Sequence, residues 1–297
     1  MITHLFFSGS HLWGFYNFGV IRYIQAFPHK FKLLKNYGGV SFGACVAFLL
    51  SINLKIEEIE NIFYEFSKDE DIKSVYFNDM FNIIDNKGID NTSKYFKWIT
   101  DYLTKINIDA YELTFMDISK KFGNNLHITC LSINSGLVEL FNTENTPDTK
   151  VYKVLQATIS LPIISIPVEI NGFLYVDAGL LDNTIVHFFS DIPSNQILSV
   201  VHNFNSGFKN YPKNHNFTNT QYFSSLFSIL IQKMQYNATH KYNNENTLVI
   251  KDHDNLIDII IKDDSIYLKY DEDTINKAIL YGFKLMNDWY NKTYIEK

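Results

Sequence analysis

Glycine and proline are scarce in this chain of 297 residues, at 13 and 6, and no Pro/Gly-rich linker divides it. Cysteine is scarcer still. Cys45 and Cys130 both stand in apolar runs, which excludes a disulfide scaffold, favours buried free thiols and fits a reducing compartment. Basic charge is also lacking. Twenty-six Lys and Arg against 32 Asp and Glu give a net charge of −6, without a long block of either sign, which argues against a nucleic-acid partner. No run of about 18 apolar residues occurs, so no transmembrane helix is expected. The opening MITHLFFSGSHLWGFYNFGV has no basic lead, and Ser8-Gly9-Ser10-His11 breaks its apolar run, unlike a signal peptide. A cytoplasmic protein, or one that touches membranes at their surface, is expected.

Metal-ligand spacing is missing too. The nine histidines are scattered. Asp252-His253-Asp254 reads as solvated surface, and Asp263-Asp264 and Asp271-Glu272-Asp273 lack the ligand spacing and central glycine of an EF-hand. No phosphate-binding G-x-x-x-x-G-K-[ST] loop is present. No metal and no organic cofactor are expected.

What the chain does have is apolar bulk: 46% hydrophobic residues, with 25 Phe and 19 Tyr, enough for a sizeable core. The abundance of Asn, Ile, Lys, Phe and Tyr is the bias that AT-rich coding produces. The Asn-x-Ser/Thr matches at Asn91, Asn216, Asn237 and Asn291 therefore read as chance.

Hydrophobic periodicity gives the element order. A short strand over 4–7 precedes a turn and a helix over 15–27, whose stripe is Phe18, Ile21, Tyr23, Ile24 and Phe27. The almost wholly apolar stretch 44–52 suits a helix buried on all sides, and 54–66 an amphipathic one. Residues 68–122 are more polar and helical in texture, the natural place for an insertion. Strands are expected over 126–133, 137–141 and 197–201, extended chain over 164–168 and 173–176, and a helix over 149–159. Helices over 219–240 and 273–291 are separated by strand candidates at 247–250 and 256–261. Strands alternating with helices predict an α/β/α layered fold with a mostly parallel central sheet, in a single domain over 1–297.

The sharpest local pattern is Gly39-Val40-Ser41-Phe42-Gly43, a G-x-S-x-G between an extended segment and an apolar helix. Such a turn lifts a serine hydroxyl to a helix N-terminus, and its glycines let neighbouring backbone pass closely. Backbone N–H groups and the helix dipole there can hold an oxyanion. Serine needs a base. Either a late histidine (His187, His202, His215, His240 or His253) or an aspartate in a partly desolvated site could serve.

Three segments together resemble the patatin-like phospholipase family. The first, Phe7-Ser8-Gly9-Ser10-His11-Leu12-Trp13-Gly14 and the following Phe15 to Val20, is similar to the family's G-G-G-x-[KR]-G oxyanion loop and the helix it opens. The second is the motif at Ser41. The third runs from Ala157-Thr158-Ile159-Ser160-Leu161-Pro162 through Pro167-Val168 to Tyr175-Val176-Asp177-Ala178-Gly179 and Asn183. It is similar to the family's A-S-x-x-x-P and Y-x-D-G-[GA] segments. The resemblance covers about residues 4–190 and leaves the last third without support.

The resemblance implies a Ser–Asp dyad that works without histidine: Ser41 as nucleophile, Asp177 as general base, and Gly9, Ser10 and His11 around the oxyanion. Gly14, Gly39, Gly43, Ala178, Gly179 and Asn183 would support these motifs. It further implies a lipid or phospholipid substrate, cleaved at a carboxylic ester through an acyl-serine. The loop departs from the pattern. Ser10 and His11 replace glycines, restricting the available φ angles, and Trp13 replaces the basic residue, which weakens phosphate recognition. The alternative is a lipid-binding or interaction protein of the same fold whose turnover has decayed.

Overall fold

The computed structural model describes residues 1–10, 14–68, 74–76, 86–90, 92–203, 212–218, 246–251, 258–262, 265–269 and 271–296, with isolated positions between 221 and 236. The first half runs β1 (His4–Phe7), α1 (Phe15–Ala26), β2 (Asn36–Gly39), α2 (Phe42–Ser51), α3 (Ile56–Lys68), β3 (Ser74–Tyr76), β4 (Gly88–Asp90), α4 (Ser93–Lys105) and α5 (Phe115–Phe122). After it come β5 (Asn125–Ser132), β6 (Val138–Phe141), α6 (Val151–Thr158), β7 (Ile163–Ser165), β8 (Val168–Ile170) and β9 (Phe173–Asp177). The last third holds β10 (Ile197–Asn203), β11 (Thr247–Lys251), β12 (Asp258–Lys262), β13 (Ser265–Lys269) and α7 (Glu272–Tyr294).

The central sheet is parallel through β11, β10, β1, β2 and β5, and β6, β9 and β8 extend it antiparallel. Helices lie on both sides, giving the expected three-layer α/β/α arrangement. Because strand side chains alternate, Leu5 and Phe7 of β1 join the large core under α1 and α2, while Phe6 joins a smaller core with Val40, Ala178, Ile185 and Ile197. His4 and His127 take part in that second face through Phe6 and Phe189, with His127 and Phe189 ring centroids 4.9 Å apart. Every residue of α2 is buried, as its uninterrupted apolar sequence requires.

The chain ends are not separate from this core. On α7, Ile275, Ala278, Ile279 and Met286 belong to the main cluster. α7 meets α1 with almost no side-chain spacer: a Cβ on Gly282 would collide with the Tyr16 carbonyl, and one on Gly19 with the Ile279 carbonyl. The acidic run at 271–273 begins this helix. Asp271 caps it by accepting from Thr274 N–H at 2.8 Å, Glu272 accepts from the Tyr64 hydroxyl at 2.6 Å, and Asp273 pairs with Lys277.

Two regions depart from the expected pattern. The stretch 68–122 contains α4 and α5 but also the strands β3 and β4, whose partners β13 and β7 lie far away in the chain. Three-residue strands paired at that distance leave no periodic trace. β13 was likewise not expected. Of the helix expected over 219–240, the described positions are helical and the rest lie outside the described residues, as do 252–254 and 263–264.

Candidate active site

β2 ends at Gly39, and the chain turns at once into α2. The turn residue Ser41 has φ 54° and ψ −130°, a left-handed conformation that a residue with a Cβ rarely takes. Its glycines are needed for proximity: a Cβ on Gly39 would lie 2.6 Å from the Gly43 carbonyl carbon, and one on Gly43 would lie 2.6 Å from the Phe7 and Ser8 oxygens. The strained backbone is pinned from outside. Ser41 N–H donates to Thr158 Oγ1 at 2.9 Å, and the Thr158 hydroxyl donates to the Thr129 carbonyl at 2.9 Å.

The strand register explains how a residue 136 positions later reaches this turn. At Ile128, β5 is paired with both β2 and β6, so those two occupy opposite edges. At Cys130 and Leu131, β5 is paired with both β6 and β9. β2 and β9 therefore run along the same edge of β5, β2 over 125–128 and β9 over 130–132, and their ends abut. Asp177, the last residue of β9, pairs with Cys130 just beyond the level where β2 gives way to Ser41.

Asp177 is 1% exposed, and its carboxyl accepts from Gly179 N–H at 2.8 Å. Burial pushes its pKa up to about 7, against the lowering effects of the Gly179 N–H and the Ser41 side chain. The buried thiols nearby feel the same environment. Burial, with the Asp177 charge second, pushes Cys45 up to about 12 and Cys130 well above its usual range, so both are inert thiols.

β1 delivers the neighbouring loop. Gly9 sits against the turn: a Cβ there would lie 3.1 Å from Ser41 Cβ and would overlap Asn183 Oδ1. Asn183 Nδ2 in turn donates to the Gly9 carbonyl at 2.9 Å. Ser10 is buried and, among the described residues, its hydroxyl has no hydrogen-bond partner. A Cβ on Gly14 would overlap the Phe42 ring. His11 and Trp13 lie outside the described residues. Ala178 and Gly179 form the 3₁₀ turn immediately after Asp177.

Residues not assigned from sequence complete the surroundings. Thr158, quoted within the third segment but given no role there, holds the turn. His202 on β10 holds both ends of the loop: its N–H donates to Ser8 Oγ at 3.1 Å, and its ring Nε2 lies 2.9 Å from Asn17 Oδ1 on α1. Burial holds its pKa down at about 3, so it is neutral. The other histidines weighed as bases lie elsewhere in bonding terms: His187 is 3.2 Å from Asp182, and His215 is 3.0 Å from Gln221. His240 and His253 lie outside the described residues. Among the described residues, no group of three His, Cys, Asp or Glu side chains could hold a metal ion, and no helix is long and apolar enough to cross a membrane. An open cavity of about 340 Å³ at the start of β10, lined by Val186, Phe189 and Ile197, lies at the opposite end of the sheet and takes no part in this site.

The family profile described as patatin-like phospholipase matches residues 5–190. The chain belongs to the patatin-like phospholipase family. Among curated proteins, it is 30% identical over 193 residues to uncharacterized protein R571 of Acanthamoeba polyphaga mimivirus, covering 64% of this chain and 62% of that one. It is 24% identical over 181 residues to probable lipid hydrolase 463L of Invertebrate iridescent virus 6, covering 60% of each. The chain thus matches about three fifths of the length of these curated relatives. Its patatin-like fold is similar to that of VipD from Legionella pneumophila, with a TM-score of 0.62 at 15% identity, covering 98% of this chain and 67% of that one.

Proposed function

We propose that this patatin-like protein is a lipid acyl hydrolase that cleaves carboxylic esters through an acyl-serine on a Ser41–Asp177 dyad. The observation that carries the reading is the meeting of two strand ends: β2 gives way to the strained turn at Ser41 where β9 ends at the buried Asp177, along one edge of β5, and burial raises the Asp177 pKa to about 7. A base of that strength is half ionised near neutrality and can take a proton from the attacking hydroxyl. The family, and a relative named as a probable lipid hydrolase, support a lipid ester as substrate.

In this reading Ser41 Oγ attacks the ester carbonyl, its proton passes to Asp177, and the C=O pair moves onto oxygen. Two sources could hold that oxyanion. One is the loop backbone around Gly9, Ser10 and His11. The other is the first turn of α2, where helix geometry leaves the Phe42 and Gly43 N–H groups without intrahelical acceptors. Ser41 N–H is excluded, because Thr158 already occupies it. Asp177 returns the proton to the leaving alcohol as the C–O bond breaks. Water then adds to the acyl-serine with Asp177 again taking a proton, and Ser41 recovers it as the fatty acid departs.

The substitutions in the loop favour a second reading, a lipid-binding protein with little turnover. Labelling with a fluorophosphonate, followed by peptide mapping, separates the two. Modification at Ser41, absent in Ser41→Ala, supports the enzyme; an unlabelled, folded chain overturns it.

A further inference from the structure

We infer that the tips of the β5–β6 and β8–β9 hairpins form an apolar ridge that seats the protein on a zwitterionic phospholipid surface. The inference rests on the lipid-hydrolase reading for its substrate. Beyond Asp177, β9 extends back four residues to Phe173, which carries the tip roughly 13 Å past the level of the dyad on the same end of the sheet. β5 continues to the same height, with Ile133 three residues past Cys130. The two tips are stitched together: Ile133 N–H donates to the Leu174 carbonyl at 2.8 Å, and Leu174 N–H donates to Asn134 Oδ1 at 2.8 Å.

Hairpin tips are normally polar, because turn chemistry favours Gly, Asn, Asp and Ser. Here Asn134-Ser135-Gly136 and Asn171-Gly172 supply the turns, yet Ile133, Leu137 and Phe173 flank them at 53%, 64% and 49% exposure. Leu181, four residues after Asp177, is also exposed, at 57%. Single exposed apolar residues need no explanation; three on adjoining tips do.

Charge selects the occupant. The only ionisable acids or bases among 132–139 and 168–175, apart from Tyr175, are Glu139 and Glu169. Glu139 is engaged by the Tyr175 hydroxyl at 2.7 Å and the Ser135 hydroxyl at 3.2 Å. A tip with no Lys or Arg and two carboxylates has nothing to attract an anionic surface, whereas its apolar side chains can enter the headgroup boundary of a neutral one.

The test uses the full chain carrying Ser41→Ala, so that vesicles stay intact, sedimented with phosphatidylcholine vesicles. The expected result is binding that does not strengthen when phosphatidylserine is added, and that falls at least about tenfold when Ile133→Ser, Leu137→Ser and Phe173→Ser are combined. With Ser41 restored, the triple variant keeps its rate on a soluble short-chain ester and its melting temperature. Four results overturn the inference: no binding by the parent, unchanged binding by the triple variant, dependence on anionic lipid, or a ridge-dependent dimer in light scattering. Failure of the catalytic reading appears separately, as absent Ser41-dependent hydrolysis, and leaves the vesicle result readable.

Discussion

At the scale of single residues, the candidate site is a balance between strain and burial. Ser41 occupies a backbone conformation that costs about 1–3 kcal/mol, maintained by close glycine contacts and the hydrogen bond to Thr158. Asp177 is a buried carboxyl that the fold prefers protonated, because its pKa rises from 3.8 to about 7. Between those values the folded state binds more protons than the unfolded one, so this group's contribution to stability falls as pH rises from about 4 to 7. Asp177→Asn is therefore expected to lower ester hydrolysis by about 10²–10⁴-fold while raising the melting temperature at pH 8. Both are readable on one preparation, and a less stable, equally inactive variant would contradict this account. In the unsubstituted protein the proposed Ser41-dependent rate should climb with pH through about 7, as Asp177 loses its proton. The two positions proposed as the dyad, Ser41 and Asp177, each stand in an ordered motif that the sequence displays. Thr158 and His202 acquire their roles only from contacts made across the sheet, and no local pattern marks them.

Elements bring Ser41 and Asp177 to one edge of the sheet. The sequence predicts β1, β2, the two helices after them and the extended chain into Asp177, because each carries its own apolar pattern. That β2 and β9 share one edge of β5 is a matter of register, which no single segment encodes. The β3–β13 and β4–β7 pairings escaped for the same reason. The closing helix shows the limit of the family resemblance: α7 lies outside the matched residues 5–190, yet it packs backbone to backbone on α1, the helix that follows the loop at Gly9. Gly282→Ala tests how much this contact holds. In an isolated helix, alanine would gain about 1 kcal/mol over glycine. Here its methyl meets the Tyr16 carbonyl, and the expected outcome in chemical denaturation is a loss of about 1–3 kcal/mol.

For the whole molecule, buried histidines set the response to acid. Burial holds His127 and His202 down at about 3, and His4 is lowered as well. Their contribution is complete above an unfolded value of 6.5 and is lost as pH falls from there towards 3, opposite in sign to that of Asp177. Two strongly lowered histidines against one raised aspartate leave a net loss of stability as pH falls through this window. The melting temperature should therefore drop between pH 6.5 and 4.5, and His202→Gln should flatten the drop, both visible by calorimetry. The Gly19–Gly282 contact also orders events in time. During synthesis α1 leaves the ribosome long before α7, so the surface of α1 around Gly19 stays uncovered until α7 has followed it. A nascent chain stalled after residue 190 would display that surface, and would be a substrate for chaperones before its core was complete.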